Sequence, residues 1–298
     1  MALTLWVIIT VTFAIMHAIP GGPFTREKAL PPAILANVEE RYHLSDPIWK
    51  QYADYFKNLF RGDLGPSYTQ QGRTVNDIIR EGFPVTATLG LLAVVLALFV
   101  GVPAGIVSAL RQYKWQDYLA MVFATIGVSV PSFIMAALLM YILAFHLRWL
   151  PPAMWGTPQQ AIMPAIALAG FPAAFFARLV RSSMLDVMGQ DYIRTARSKG
   201  LSERVVIYRH AIKNALIPAV TYFGPLLAGI LTGSFVVETI FAIPGIGRSL
   251  VQGIYNRDYT VILGMTVFYS AFLVVMNLAV DLVYVLLDPR IKLADRKG

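Results

Sequence analysis

The chain has 298 residues, of which 57% are hydrophobic and only 14% are charged, and its mean hydropathy is +0.60. These values exclude an ordinary soluble domain, in which about a quarter of the residues are charged, and they indicate an integral membrane protein. The absence of cysteine excludes disulfides, thiolate metal sites and a cysteine nucleophile.

Apolar windows of about 20 residues, long enough to cross a hydrocarbon core of about 30 Å, recur along the chain. They predict six transmembrane helices, over residues 2–19, 86–110, 118–145, 162–187, 205–237 and 261–287. The first run follows Met1 without a basic leader or a convincing cleavage site. We therefore interpret it as a retained span and not as a secretory signal.

Short loops rich in Lys and Arg predict the orientation of the spans, because such loops stay in the cytoplasm. Residues of this kind follow the second, fourth and sixth spans: Arg111 and Lys114, the segment 191–214, and Arg290, Lys292, Arg296 and Lys297. These segments and both chain ends are predicted to be cytoplasmic. The formal net charge of +8 then needs no nucleic acid partner to explain it.

The segment 20–84 is predicted to lie outside the cytoplasm and to contain an amphipathic helix. Asp46 and Pro47 are typical of a helix start, and Gly62 is typical of an end. The apolar side chains that share one face are Ile48, Tyr52, Tyr55, Phe56, Leu59 and Phe60. We expect this face to brace the bundle; contact with an external partner is the alternative.

Two pairs of glycines inside the predicted spans have a spacing that lets helices approach closely. They are Gly101 with Gly105, and Gly229 with Gly233.

The sequence carries no pattern typical of catalysis. It has no GxxxxGK[ST] loop for nucleotide phosphates, and its four histidines lack metal-ligand spacing. These absences predict a translocation protein, not an enzyme, with no metal site. Asp281 is the candidate ionisable residue inside a span, so an autonomous proton-coupled carrier remains an alternative.

The segment DYIRTARSKGLSERVVIYRHAIKNALIP, residues 191–218, holds six Lys or Arg and two acidic residues. Asp191 can cap a short helix and Gly200 can end it. On that helix Ile193, Ala196 and Gly200 share one face, and small residues permit close approach to another surface. This pattern favours a docking helix over a loop that only sets topology.

The same segment resembles the cytoplasmic EAA-type loop of ABC importer permeases. Arg194, Thr195 and Ala196 fall at the EAA positions, and Gly200 falls at the glycine of that loop. The glutamate is replaced by Arg194, and the later I-x-L-P becomes residues 210–213; both departures resemble the oligopeptide and dipeptide permease branch.

Further segments are similar to that branch along nearly the whole chain. They are HAIPGGPF (17–24), FPVTATLG (83–90), GSFVVETIFAIPGIG (233–247), NRDYTVI (256–262) and DLVYVLLDPRIK (281–292). GGPF followed by NVEERYHLSDPIWKQY is more similar to the oligopeptide subgroup. Dipeptides, glutathione-like peptides and nickel chelates are the alternative substrates.

The resemblance implies an all-α type I importer permease of a prokaryotic inner or plasma membrane. Residues 1–19 would form the first span and 20–84 the extracytoplasmic segment. Residues 85–290 would form a five-span core with a coupling loop over 189–214, and 291–298 a cytoplasmic tail. The implied partners are a second homologous permease, two cytoplasmic ATP-binding subunits that hold ATP and Mg, and an extracytoplasmic peptide-binding protein. This chain would bind no cofactor and would contact lipid and no nucleic acid.

The resemblance also implies two sets of functional residues. Those that couple the chain to the ATPase would be Asp191, Tyr192, Arg194, Thr195, Ala196, Arg197, Lys199, Gly200, Leu201 and His210. Those of an outer loop that contacts the binding protein or the gate would be Glu238, Phe241, Pro244, Gly245 and Gly247. An inert connection is the alternative for the outer loop. The missing phosphate loop, together with a helix shaped for docking, favours the importer over an autonomous carrier or channel.

Overall fold

The computed structural model describes residues 2–18, 44–231 and 234–287. Regular structure in this part of the chain is helical, and an isolated bridge between Pro66 and Thr74 is its only β-type pairing. The all-α fold expected from the sequence is confirmed. The chain divides into two compact units, residues 1–86 with 244–274, and residues 87–243 with 275–298.

The helices are numbered in chain order. They are α1 (Ala2–Ala18), α2 (Ile48–Leu59), α3 (Val75–Leu110), α4 (Trp115–Ser129), α5 (Ser132–Leu139, continued by the π-helical Met140–His146), α6 (Pro158–Met188), α7 (Asp191–Ser198), α8 (Glu203–Val205 and Ile212–Ala215, with the π-helical Val206–Ala211 between them), α9 (Ile217–Leu231), α10 (Phe235–Ile240), α11 (Ile246–Tyr255) and α12 (Tyr259–Leu287).

The six predicted spans all coincide with helical segments of this structure. By length and composition, four stretches could cross a membrane: Val75–Leu110, Pro158–Met188, Tyr259–Val280 and Ile217–Ile240, the last of which includes residues 232–233 outside the described part. The pair α4 and α5 passes the same test when taken together, and the helix axis bends by 107° between them, as in a broken span or a re-entrant loop. Helix α1 is apolar but shorter, with 17 residues.

Two of the predicted spans contain interruptions of the α-helix. The span predicted over 118–145 breaks at Pro131, because a residue that precedes proline is disfavoured in the α region; Val130 has φ −92° and ψ 115°. The span predicted over 205–237 begins with α8, whose middle turn is π-helical, and α9 starts only at Ile217.

In the first unit, α2 packs as a brace, but with a smaller apolar face than predicted. Tyr52 and Tyr55 pack against Phe13, Met16 and Leu263 of α1 and α12. Burial raises the pKa of the Tyr55 hydroxyl. By contrast, the exposed fractions of Ile48 and Phe60 are 59% and 86%, so these two residues do not belong to the packed face.

In the second unit, α6 packs closely against α3. A Cβ atom added to Gly101 would lie 2.4 Å from the carbonyl oxygen of Ala173, and one added to Gly105 would lie 2.6 Å from that of Ala177. The close approach predicted for this glycine pair is confirmed. The same prediction is wrong for Gly229, where an added Cβ atom would meet nothing within 4 Å. Gly233 lies outside the described residues.

A buried ion pair joins α6 to the start of α4. The carboxylate of Asp117 is 3% exposed, and the Nε and Nη2 atoms of Arg181 donate to its two oxygens at 2.7 and 2.8 Å. The Ser108 hydroxyl at the end of α3 donates to the same carboxylate at 2.5 Å, and the backbone N–H of Tyr113 donates at 3.0 Å. One carboxylate therefore fixes α3, α4 and α6 together with the loop before α4.

Replacing this carboxylate is expected to destabilise the folded chain. Asp117→Asn leaves Arg181 half-buried without a counter-charge, which should lower the free energy of unfolding by about 3 kcal/mol. The check is the thermal unfolding midpoint of the purified protein in detergent.

Lys50→Gln is the matched control, since it breaks the more exposed ion pair with Asp46 at 3.0 Å and should change the free energy of unfolding by less than about 1 kcal/mol. Equal midpoints for the two variants would contradict the role given to Asp117.

Candidate functional site

The predicted docking helix is present as α7, with a clear end. Asp191 is its first residue, and the residue at the capping position is Gln190. Gly200 has φ 78°, its N–H donates to the carbonyl of Arg197 at 2.9 Å, and the N–H of Leu201 donates to that of Ala196. This is the hydrogen-bond pattern of a glycine-terminated helix, so the stop predicted at Gly200 is confirmed.

The face of α7 that was expected to meet a partner packs against the chain itself. Ile193 is fully buried and Ala196 is 6% exposed. Both belong to a core cluster with Phe176, Val180 and Met184 of α6, Val206, Ala211 and Ala215 of α8, Ala109 of α3 and Ala219 of α9. The part of the small-residue face formed by Ile193 and Ala196 is therefore an internal contact, whereas Gly200 is exposed. The interpretation of Ala196 as a residue that touches a partner is corrected, because its methyl group is enclosed by its own chain.

The opposite face of α7 is exposed and predominantly cationic. The exposed residues of the predicted set are Asp191, Tyr192, Arg194, Thr195, Arg197, Lys199, Gly200 and Leu201. Arg194 lies 3.5 Å from the carboxylate of Asp191, and Arg197 pairs with Glu203 at 2.7 Å. Lys199 belongs to no ion pair within the described residues. The surface offers fixed positive charge beside two short local ion pairs.

Helix α8 continues this surface and holds α7 in place. The Asn214 side chain donates to the Tyr192 hydroxyl at 2.9 Å. His210 is half-buried in the π-helical turn, whereas Tyr208 of the same turn is 74% exposed. A π-helical turn is rare and often marks a functional site. Tyr208 was not singled out from the sequence, where nothing distinguished it from the other aromatic residues.

Most residues predicted for an outer-loop contact are buried. Glu238 is fully buried and Phe241 is 1% exposed; the Phe241 carbonyl accepts a hydrogen bond from the N–H of Met154 at 2.8 Å. Gly245 and Gly247 are also buried, and Pro244 alone of the five is exposed. The turn contains Ala242, at φ 53°, which the sequence did not indicate. Four of the five residues therefore maintain the local structure and offer little surface for a contact.

The start of α11 rests on α3 through two residues that the sequence motif alone did not single out. The N–H of Ile246 donates to the buried Thr86 hydroxyl at 3.0 Å. A Cβ atom added to Gly82 would lie 3.0 Å from the nitrogen of Ile246. The segments 83–90 and 233–247, noted separately in the sequence, are thus linked by a direct backbone-to-side-chain contact.

Asp258 organises a second polar cluster in the first unit. Its side chain is fully buried. Hydroxyl groups donate to its carboxylate from Ser67 at 2.5 Å and Thr69 at 2.8 Å, and backbone N–H groups donate from Tyr68 at 3.2 Å, Thr69 at 3.1 Å and Val261 at 3.3 Å. The Thr260 hydroxyl shares its single proton between this carboxylate, at 3.0 Å, and the Pro66 carbonyl, at 2.5 Å. These hydroxyl and amide donors compensate the buried charge. The cluster anchors the loop before α3 to the start of α12.

The structure provides no site geometry for the remaining candidates from the sequence. The described residues contain no group of three or more His, Asp or Glu side chains that could hold a metal ion. The side chain of Asp281, the segment 19–24 and the tail 291–298 lie outside the described residues.

Comparisons with known proteins place the chain among membrane components of transport systems. A family model described as "binding-protein-dependent transport system inner membrane component" matches residues 101–293. The chain is 50% identical over 298 residues to the dipeptide transport system permease protein DppB of Bacillus subtilis (strain 168), covering 100% of this chain and 96% of that protein. It is 47% identical over 291 residues to the oligopeptide transport system permease protein OppB of Salmonella typhimurium, covering 97% and 95%.

Two solved structures share the fold at low sequence identity. An inward-facing conformation of the MetNI methionine ABC transporter matches with a TM-score of 0.57 and 17% identity, over 69% of this chain and 94% of that one. An amino acid ABC transporter crystallised with histidines matches with a TM-score of 0.53 and 19% identity, over 70% and 92%.

Substitutions on the two faces of α7 should separate folding from surface function. Ala196→Glu places a charge in the core cluster and is expected to lower the free energy of unfolding by about 3 kcal/mol or more. Thr195→Glu, on the adjacent exposed position, should change it by less than about 0.5 kcal/mol. Thermal unfolding in detergent measures both, and an unchanged midpoint for Ala196→Glu would show that this face is open.

Proposed function

This chain belongs to the family of binding-protein-dependent transport system inner membrane components, and from that membership we propose that it is the permease that carries peptides across the membrane in an ATP-driven importer. The observation that carries the proposal is the identity of 50% and 47%, over nearly the full length of both chains, to a dipeptide and an oligopeptide transport permease. The fold is that of type I ABC importer permeases.

Oligopeptides are the substrate we propose, and dipeptides are the second candidate. The two relatives are nearly equally similar to this chain, at 50% for the dipeptide permease and 47% for the oligopeptide permease. Uptake measured with a series of peptides from two to six residues distinguishes the candidates. Transport limited to dipeptides would select the second.

We propose that energy reaches the chain from separate ATP-binding subunits through α7. The sequence has no phosphate-binding loop of its own, and the exposed cationic face of α7 is backed by an apolar core cluster. Because Ile193 and Ala196 belong to that cluster, a displacement of α7 by a partner would be passed to α6 and α8 and not absorbed by a flexible loop. The inward- and outward-facing states would be exchanged by this movement as ATP is bound and hydrolysed.

We infer the orientation of this arrangement from charge. Residues 191–214, which contain α7 and α8, carry six Lys or Arg against two acidic residues. This excess of positive charge favours a position on the cytoplasmic side, and both chain ends would lie on that side as well. The segment that contains α2 would then lie on the outer side, where a peptide-binding protein docks. A second permease would complete the complex.

Affinity purification of the chain from native membranes in mild detergent tests the assembly. Mass spectrometry should identify two P-loop subunits, a second permease and a peptide-binding protein. Recovery of this chain alone, with peptide transport after reconstitution, would instead favour an autonomous carrier.

Charge reversal on the exposed face of α7 should uncouple the importer without unfolding it. In the purified complex, Arg194→Glu is expected to lower ATP-dependent peptide uptake about tenfold, because an exposed cation at a partner surface becomes a repulsive charge. The thermal unfolding midpoint should not move, since the Arg194 side chain is 72% exposed.

Lys114→Glu, at an exposed cation of the loop before α4, is the matched control and should leave coupling unchanged. Uptake and ATP hydrolysis that stay coupled in Arg194→Glu would remove α7 from the coupling path.

A further inference from the structure

A row of four side chains along α6 is not covered by the helices of its own unit. Phe171, Phe175, Arg178 and Ser182 follow one another at intervals of four, three and four residues, which places them on one face of the helix. Phe171 is 47% exposed, Phe175 is half-buried, and Arg178 and Ser182 are not buried. The row therefore leaves an open strip on a helix that otherwise carries much of the core of this unit.

The row is bordered on both sides by polar or aromatic contacts. Arg178 Nη2 donates a hydrogen bond to the Thr125 hydroxyl of α4 at 2.8 Å. The ring of Phe175 stacks on Tyr222 of α9, with centroids 4.0 Å apart and an angle of 28° between the planes. One cation and a set of flat apolar rings thus lie side by side between α4 and α9.

Arg178 differs from the neighbouring arginine one turn further along. Arg181 has a buried carboxylate partner, Asp117, held through two hydrogen bonds. Within the described residues, Arg178 forms no ion pair, and its hydrogen bond to Thr125 is to a neutral hydroxyl. A cation inside a membrane-spanning helix is costly when it faces lipid, and such residues face a bundle interior or a water-filled path instead.

We propose that this row lines the route of the transported peptide and that Arg178 binds a carboxylate of the peptide in transit. The inference rests on the proposed function. A guanidinium group is suited to a carboxylate because it donates two parallel hydrogen bonds, and Thr125 holds it in position from the other side. The rings of Phe171, Phe175 and Tyr222 offer flat apolar surfaces that accept side chains of many shapes. Peptides of different sequence all share the terminal carboxylate, so a single cation can bind every one of them.

Uptake by the complete importer, purified with its partner subunits and reconstituted in vesicles, tests the role of the cation. Arg178→Gln is expected to reduce uptake of a peptide with a free C-terminus at least about tenfold, because the charged hydrogen bonds to the carboxylate are lost. Arg178→Lys should lose less uptake than Arg178→Gln, because it keeps the positive charge but not the two parallel hydrogen bonds. Arg111→Gln removes an exposed arginine outside the row and should leave uptake unchanged.

Chemical modification separates a wet path from a lipid or protein contact. The chain has no cysteine, so Arg178→Cys introduces the single thiol of this subunit. A cationic, water-soluble thiosulfonate reagent should react there and restore most of the lost uptake, whereas an anionic reagent of similar size should react without restoring it. The unsubstituted importer, treated in the same way, gives the background from partner cysteines. Phe171→Cys gives a second thiol on the row, and transported peptide should slow its modification at least about threefold.

The outcomes are distinct. A thiol that is inert to both reagents at both positions would mean that the row faces lipid or a second membrane subunit, and the inference would be overturned. Uptake in Arg178→Gln equal to that of the unsubstituted importer would also overturn it. If the unsubstituted importer takes up no peptide in the same vesicles, the proposed function itself fails.

Discussion

The packing of α6 is the constraint on which the second unit depends. This helix approaches α3 at Gly101 and Gly105 with backbone atoms in near contact, so no larger side chain fits at either position. It is joined to α4 by the Asp117–Arg181 pair and to α7 and α8 by the apolar cluster around Ile193. At 100° per residue, these contacts share one half of the helix surface, and the open row lies on the other half. Because a lipid environment supplies little driving force for helix association, close backbone packing and buried polar pairs have to hold such a bundle together.

This arrangement explains how α7 can serve as part of a rigid body although it is only 8 residues long. A helix of that length is not stable alone in water. Its stability comes from Ile193 and Ala196, which belong to the same cluster as side chains of α6 and α8. The charged side of α7 is then free for recognition, and its apolar side is committed to structure. A single short helix thereby combines the two requirements of a lever, a firm attachment and an exposed point of contact.

The sequence predicted the elements better than their contacts. Apolar length located helical segments at the predicted spans, amphipathic period located the helix at 48–59, and glycine spacing located the approach of α3 to α6, because these features depend on local composition and period. The face of α7 that contains Ile193 and Ala196 was predicted to contact a partner because of its small residues. Small residues pack equally well inside the core of their own chain, so this pattern could not decide between the two. The contacts of Asp117 and Asp258 could not be predicted from the sequence, since their partners, Arg181 and Ser67, lie 64 and 191 residues away in the chain. The bend at Pro131 follows a known local rule, but its angle depends on the helices around it.

The cluster around Asp258 also sets an order for biosynthesis. Ser67 and Asp258 are separated by 191 residues, and ribosomes add about 5–20 residues per second. Asp258 is therefore synthesised roughly ten to forty seconds after the serine whose hydroxyl it binds. During that interval several apolar segments must leave the translocon before the loop at 67–69 can close on the start of α12. The first unit therefore cannot be completed until residues 87–243 of the second unit have been made, and its early-made segment acquires its final structure only after that delay.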